Sequence, residues 1–263
     1  MKERLAIVKV GGNIIDDPEV LKNFVRTFSE INGLKLLVHG GGKIATKTAA
    51  SLGIETKMIE GRRITGDEMI DVVVMTYAGL VNKKIVALLC KEGVKAIGLT
   101  GADGDVIRAS KRPTVEGIDY GWVGDVEEVN GSFLNDLLVG GTTPVFCALT
   151  HDGQGQMLNT NADTIANEVA IALTAYYEVS LNYCFELQGV LKNIEDPGSL
   201  VKEINLDSYR KLKMEGAIAG GMIPKLDNAF EAIGKGVARV NILNTSSLSQ
   251  LDNENYHEYT TLH

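Results

Sequence analysis

The sequence predicts an α/β fold in which a mainly parallel central sheet carries helices on both faces. Three features lead there. Short apolar runs rich in Val, Ile and Leu recur at 5–10, 34–38, 96–99, 144–148, 179–183 and 237–243, the pattern of strands buried on both sides. Between them lie longer segments of helical periodicity, at 18–31, 43–52, 67–92, 130–139, 161–174, 206–214 and 225–234. Strand and helix therefore alternate, the order that builds parallel sheets. The glycine-rich segments follow strands, and open parallel sheets gather ligands outside the carboxyl ends of their strands.

Taken in order, the first strand runs into Lys9-Val10-Gly11-Gly12, a lysine at the strand's carboxyl end before a turn toward the helix that Pro18 opens. That lysine either serves a ligand or is solvated beside a tight turn. The second strand runs into His39-Gly40-Gly41-Gly42-Lys43. Three glycines ahead of a helix offer backbone N–H groups and the positive end of the helix dipole to a carboxylate or phosphate. The alternative is a mobile turn, and the absence of a following Gly-Lys-Ser/Thr excludes a Walker loop. His39 is expected to support this loop by hydrogen bonding rather than to donate a proton.

In Glu60-Gly61-Arg62-Arg63-Ile64-Thr65, Arg63 offers a planar fork able to bind a carboxylate bidentately, although either arginine could lie on the surface. The stretch 101–129 is rich in Gly, Asp and short β-favouring pieces, which reads as hairpins forming a flap or rim. Leu158-Asn159-Thr160-Asn161-Ala162-Asp163 precedes a helix. Asn161 or Asp163 caps that helix, or the two amides and the carboxylate serve as neutral donors and as an anion that orients lysines. Lys225 sits beside Pro224 with Gly220 and Gly221 upstream, a second lysine at an element boundary or an ordinary first-turn lysine.

The two lysines matter more as a pair. An ammonium is a compact point charge suited to a phosphate oxygen, and glycine lets backbone N–H groups approach that phosphate closely. Together they signal phosphoryl transfer.

Composition narrows the rest. The 263 residues are 44% hydrophobic and 23% charged, ordinary globular values, with no internal repeat or long linker. No apolar run reaches the roughly 18 residues of a membrane span, and no membrane partner is expected. The apolar strand begins at Leu5, right after Met1-Lys2-Glu3-Arg4, which leaves no room for a signal peptide and predicts a cytoplasmic location. Cys90, Cys147 and Cys184 are widely spaced and are expected to be buried, reduced thiols. The net charge of −8 argues against a nucleic-acid surface but permits a small anion held by local cations.

The joint order of Lys9-Val10-Gly11-Gly12, His39-Gly40-Gly41-Gly42, Gly61-Arg62-Arg63-Ile64-Thr65, Gly98-Leu99-Thr100-Gly101-Ala102-Asp103-Gly104, Asn159-Thr160-Asn161-Ala162-Asp163 and Gly221-Met222-Ile223-Pro224-Lys225 resembles the amino-acid kinase family. The resemblance covers Leu5 to about Leu243. It implies a three-layer αβα sandwich forming one domain over 1–263, with an acyl-amino-acid lobe at about 1–175 and a nucleotide lobe at about 176–263. It also implies a homodimer that transfers the γ-phosphoryl group of ATP to the side-chain carboxylate of an N-acylated glutamate, acetyl or succinyl, in arginine biosynthesis. Carried over by position, Lys9 and Lys225 stabilise the transition state and Asp163 organises them. Gly41, Gly42, Arg63 and Asn159 contact the amino acid, with Asn161 added by adjacency. Gly11, Gly12, Glu186, Gly189 and Leu191 serve the nucleotide. Mg2+ is expected on the nucleotide phosphates and water, with no dedicated protein ligand.

The chain departs from the family pattern in places. Phe185-Glu186-Leu187-Gln188-Gly189 stands where relatives commonly carry a Ser/Thr-Asp pair before the glycine, and Tyr259-Thr260-Thr261-Leu262 only faintly matches the family's Gly-Thr-x-Ile close. The N-terminal helix of the family's arginine-inhibited hexamers is missing, which predicts an arginine-insensitive dimer. Two alternatives stay open: a kinase for another small carboxylate such as an N-acylated aminoadipate, and a non-catalytic regulator with this fold.

Overall fold

In the computed structural model, residues 2–59, 61–193, 195–216, 218, 222–251, 253, 256 and 258–263 are described; Gly220 and Gly221 lie outside them. The chain opens with β1 (Arg4–Val10), α1 (Gly12–Asp16), α2 (Pro18–Ser29) and β2 (Leu34–His39). Asp17 starts α2 by accepting from the Glu19 and Val20 N–H groups at 2.9 and 3.1 Å, so Pro18 occupies a first-turn position that needs no donor. There follow α3 (Gly42–Ser51), β3 (Met58–Ile59), β4 (Arg62–Arg63), α4 (Asp67–Val74), a π-helical segment (Met75–Val81) and α5 (Asn82–Lys91). Next come β5 (Ala96–Leu99), β6 (Ile107–Lys111), β7 (Gly124–Val129), α6 (Gly131–Val139), β8 (Thr143–Cys147), β9 (Leu149–His151), β10 (Met157–Asn159) and α7 (Ala162–Leu173). The remainder forms β11 (Glu178–Phe185), β12 (Glu203–Ile204), α8 (Leu206–Met214), α9 (Met222–Gly234), β13 (Arg239–Asn244) and β14 (Thr260–Leu262).

These elements form two compact units, Met1–Leu36 with Ala166–His263, and Leu37–Ile165. The division differs from the expected lobes at about 1–175 and 176–263. Its cause is the parallel ladder between β1 and β11, which runs from Arg4↔Glu178 to Val10↔Cys184 and ties the first strand to the second half of the chain.

In the first unit the strand order is β12-β14-β13-β11-β1. β1, β11 and β13 are parallel, while β14 runs antiparallel to β13. In the second unit β2, β8 and β5 are parallel neighbours, and a separate sheet has the order β10-β9-β6-β7. The antiparallel β6–β7 pair is the expected flap hairpin. Its sheet also recruits β9 and β10, three-residue strands too short to show alternation.

The long helical stretch Asp67–Lys91 is apolar and long enough to cross a membrane by length and composition. It is instead the core helix of the second unit, with Met69, Ile70, Val72, Val73 and Tyr77 buried against Ala45, Ala49, Cys147 and Leu149. Cys90 departs from expectation: it is exposed near the end of α5. Cys147 and Cys184 are buried, and burial pushes both thiols up to about 12.

Candidate active site

In the unit Leu37–Ile165, β4 turns Arg63 inward, leaving it 7% exposed. Its Nη2 donates to the Gly42 carbonyl and to Thr46 Oγ1, both at 2.8 Å, and its Nη1 donates to Thr56 Oγ1 at 3.2 Å. All three acceptors are neutral, and no carboxylate among the described residues pairs with Arg63. A buried guanidinium so arranged keeps its positive field for an anion. Gly42 begins α3, whose start has no side-chain cap and no acidic residue in its first turn. Arg63 and that helix start therefore favour the same charge sign.

The glycine at position 41 has a steric reason. A Cβ there would lie 2.9 Å from Tyr77 Cδ1. Tyr77 comes from the π-helical segment, a local widening of the helix frequent at functional sites. Burial pushes its phenol up, and the neighbouring Arg63 guanidinium partly offsets this. His39 is wholly buried beneath the loop. Its Nδ1–H donates to the Gly40 carbonyl at 2.7 Å, and its Nε2 accepts from the Asn82 amide at 3.0 Å. Those two bonds require the neutral ring with the proton on Nδ1. Burial pushes the imidazole down to about 4, Lys83 adds to this, and the Gly40 bond opposes it.

Asn159 donates its side-chain amide to Thr65 Oγ1 at 3.0 Å and its backbone N–H to the Trp122 carbonyl at 2.8 Å. It thereby ties β10 to the flap and to the segment after β4. Asn161 spends its side-chain oxygen on the Asp163 and Thr164 N–H groups, at 2.7 and 3.4 Å, so it caps α7. Asp163 lies in the first turn of α7.

In the other unit the two lysines meet. Lys9 Nζ stands 5.2 Å and Lys225 Nζ 4.7 Å from the centroid of the Phe185 ring. The nitrogens are thus no farther apart than these distances laid end to end. The cause is topological: Lys9 is level with Tyr183 in the β1–β11 ladder, and Phe185 follows two residues on, on the same face, stacked on Tyr183 at 6.2 Å. Lys225 enters from the first turn of α9. A cation over an aromatic face gains about 0.5–1 kcal/mol, and two such cations repel each other.

The expected nucleotide residues divide into near and far sets. The Gly11 N–H donates to the Cys184 carbonyl at 2.9 Å, and a Cβ on Gly11 would press on Phe185 Cδ1 at 3.1 Å. Gly12 begins α1 with open space around it. Glu186 is exposed. Gly189 is buried against Thr260 and Leu200, and Leu191 bridges to Leu200. The described residues hold no group of three or more His, Cys, Asp or Glu able to bind a metal.

Three residues escaped the sequence reading. Tyr77 sits in an apolar helical pattern that already accounts for it as core. Phe185 read only as a departure and proves to be the ring that both lysines contact. Thr260 lay in a segment without a readable role, although Gly189 hinted at a close neighbour.

Comparison with known proteins completes the picture. A sequence model described as the amino acid kinase family matches residues 4–244. An acetylglutamate kinase of Cytophaga hutchinsonii is 54% identical over 253 residues, 96% of each chain. That of Bacteroides fragilis is 54% identical over 248 residues, covering 94% of this chain and 95% of its own. The crystal structure of smu.665 from Streptococcus mutans superposes with a TM-score of 0.73 at 26% identity, covering 98% of both chains.

Proposed function

The chain belongs to the amino acid kinase family, and on that footing we infer that it transfers the γ-phosphoryl group of ATP to the side-chain carboxylate of N-acetylglutamate in arginine biosynthesis. The meeting of Lys9 and Lys225 over Phe185 carries this reading. A carboxylate oxygen attacks the γ-phosphorus, the bond to the β–γ bridging oxygen breaks, and ADP leaves an acyl phosphate behind. No proton moves, so no general base is needed. Catalysis rests on alignment and on neutralising charge on the phosphoryl oxygens. Lys9 and Lys225 supply that charge, and Asp163 is the acidic member of the set. Gly41, Gly42, Arg63 and Asn159 hold the amino acid. Gly11, Gly12 and the 186–191 loop face the nucleotide. Mg2+ arrives on the phosphates, in keeping with its reluctance to shed water. The enzyme works as a cytoplasmic homodimer.

N-succinylglutamate is a second substrate to test.

Purified protein with MgATP, either acyl-glutamate and hydroxylamine is expected to yield a hydroxamate. No product from either substrate rejects the reading, and ATP binding without product would mark a regulator instead.

A further inference from the structure

The loop 186–191 starts at Phe185, under the two lysines, and its far limb is fastened by a strand remote in sequence. Thr260 opens β14 and is fully buried. Its hydroxyl accepts from the Val190 N–H at 2.8 Å and donates its single proton to the Val201 carbonyl at 2.6 Å. Packing reinforces the bond. A Cβ on Gly189 would meet Thr260 Oγ1 at 2.5 Å, Leu200 Cδ1 at 2.7 Å and the Thr260 backbone nitrogen at 2.9 Å. That nitrogen belongs to a strand paired with β13 on one side and β12 on the other, so it cannot yield. Thr261, the next residue, sends its hydroxyl to Asn241 Oδ1 at 3.0 Å, into the sheet. One limb of the loop is thus set by β11; the other is held by the Thr260 hydroxyl together with backbone bonds to the segment 199–201, from the Val201 N–H to the Val190 carbonyl at 2.9 Å and from the Lys192 N–H to the Ser199 carbonyl at 3.1 Å.

We propose that Thr260 is a positioning residue for nucleotide binding. By holding Gly189 and Val190 it fixes the course of the loop that leaves Phe185, so that the loop backbone is ordered before ATP arrives. Thr260 touches no ligand and acts only through those two residues. The proposal rests on the reading of 186–191 as the nucleotide side.

The test measures MgATP affinity by calorimetry, together with kcat and KM, for the full chain and for Thr260→Val, Thr260→Ser and Thr261→Val. Thr260→Val is expected to weaken MgATP binding about tenfold, the scale of one buried hydrogen bond, with kcat at saturating ATP held within about twofold. Thr260→Ser restores the hydroxyl and the affinity. Thr261→Val loses a comparable bond and thermal stability but keeps its affinity for ATP. A folded Thr260→Val chain that binds MgATP as tightly as the parent overturns the proposal. So does an equal loss in Thr261→Val, or a change confined to the KM for the acyl-glutamate. Should Thr260→Val fail to fold, Gly189→Ala presses on the same contact from the loop side, and unchanged affinity there is equally fatal. Calorimetry needs no turnover, so a protein that phosphorylates neither acyl-glutamate defeats the proposed reaction while the loop is still judged.

Discussion

The two clusters handle charge in opposite ways. In the unit Leu37–Ile165, Arg63 is buried among neutral oxygens, Tyr77 wedges the glycine loop, and His39 is bonded at both ring nitrogens. Every direction there is set before a ligand enters. In the other unit, two lysines come from the end of a strand and the start of a helix to a half-buried ring, beside a loop fastened by a few bonds. The contrast follows from the tasks. Choosing a small amino acid needs fixed donors, which a planar guanidinium in a tight net provides. Moving a phosphoryl group needs charge that follows it from one oxygen to the next, which ammonium groups on long stems provide.

The largest expected effect tests that division. Lys9→Ala and Lys225→Ala should each lower kcat by about a hundred- to a thousandfold, the range for removing one stabilising group from a transition state. Thermal stability should move far less than kcat, each variant losing a cation–ring contact worth about 0.5–1 kcal/mol. If instead activity and melting temperature fall in step for both variants, the lysines are structural and the contrast between the clusters disappears.

Protonation gives the second test, and it concerns the glycine-loop side alone. The His39 imidazole is held near 4 in the folded protein, against about 6.5 in an unfolded chain. Between those values the unfolded state binds more protons, so stability rises with pH. The contribution is fully present above about pH 6.5 and is lost as pH falls toward 4, up to roughly 3 kcal/mol in all. Urea unfolding from pH 7 to 4.5 should show this slope in the parent and a flatter one in His39→Gln. Parallel curves would mean that His39 is not the acid-sensitive point beneath Gly40.

How much of this was legible in the sequence depends on what each residue contradicts. Lys9 was visible because a lysine at the end of an apolar strand, followed by two glycines, breaks the burial pattern. Arg63 stood out for a similar reason. The parallel strands were readable because each is buried on both sides and so forms an unbroken apolar run. β9, β10, β12 and β14 were not, since two or three residues acquire strand geometry from their partners rather than from their own preference. Tyr77 was hidden because the helical period explains it completely, and the π-helical widening that aims it at Gly41 leaves no trace in the residue pattern. Asn161 had two readings, a cap or a ligand contact, and its oxygen is committed to the cap. The composition of the two compact units was not legible for a physical reason as well: a strand near residue 5 pairs with one near residue 179, and no local signal reports such a distance.

The smallest effect is the most discriminating. Tyr77→Phe removes one hydroxyl and keeps the ring that packs on Gly41. Arg63 retains its three oxygen acceptors from Gly42, Thr46 and Thr56, so the fold should lose at most about 1 kcal/mol. The lost hydroxyl is a polar neighbour of the guanidinium, and the KM for the acyl-glutamate should rise by up to about fivefold, the same energy. The KM for ATP should stay fixed, since the lysines and Phe185 belong to the other cluster. A variant whose two KM values rise together would show that the clusters share one mechanical support, and the separation of selection from transfer would have to be given up.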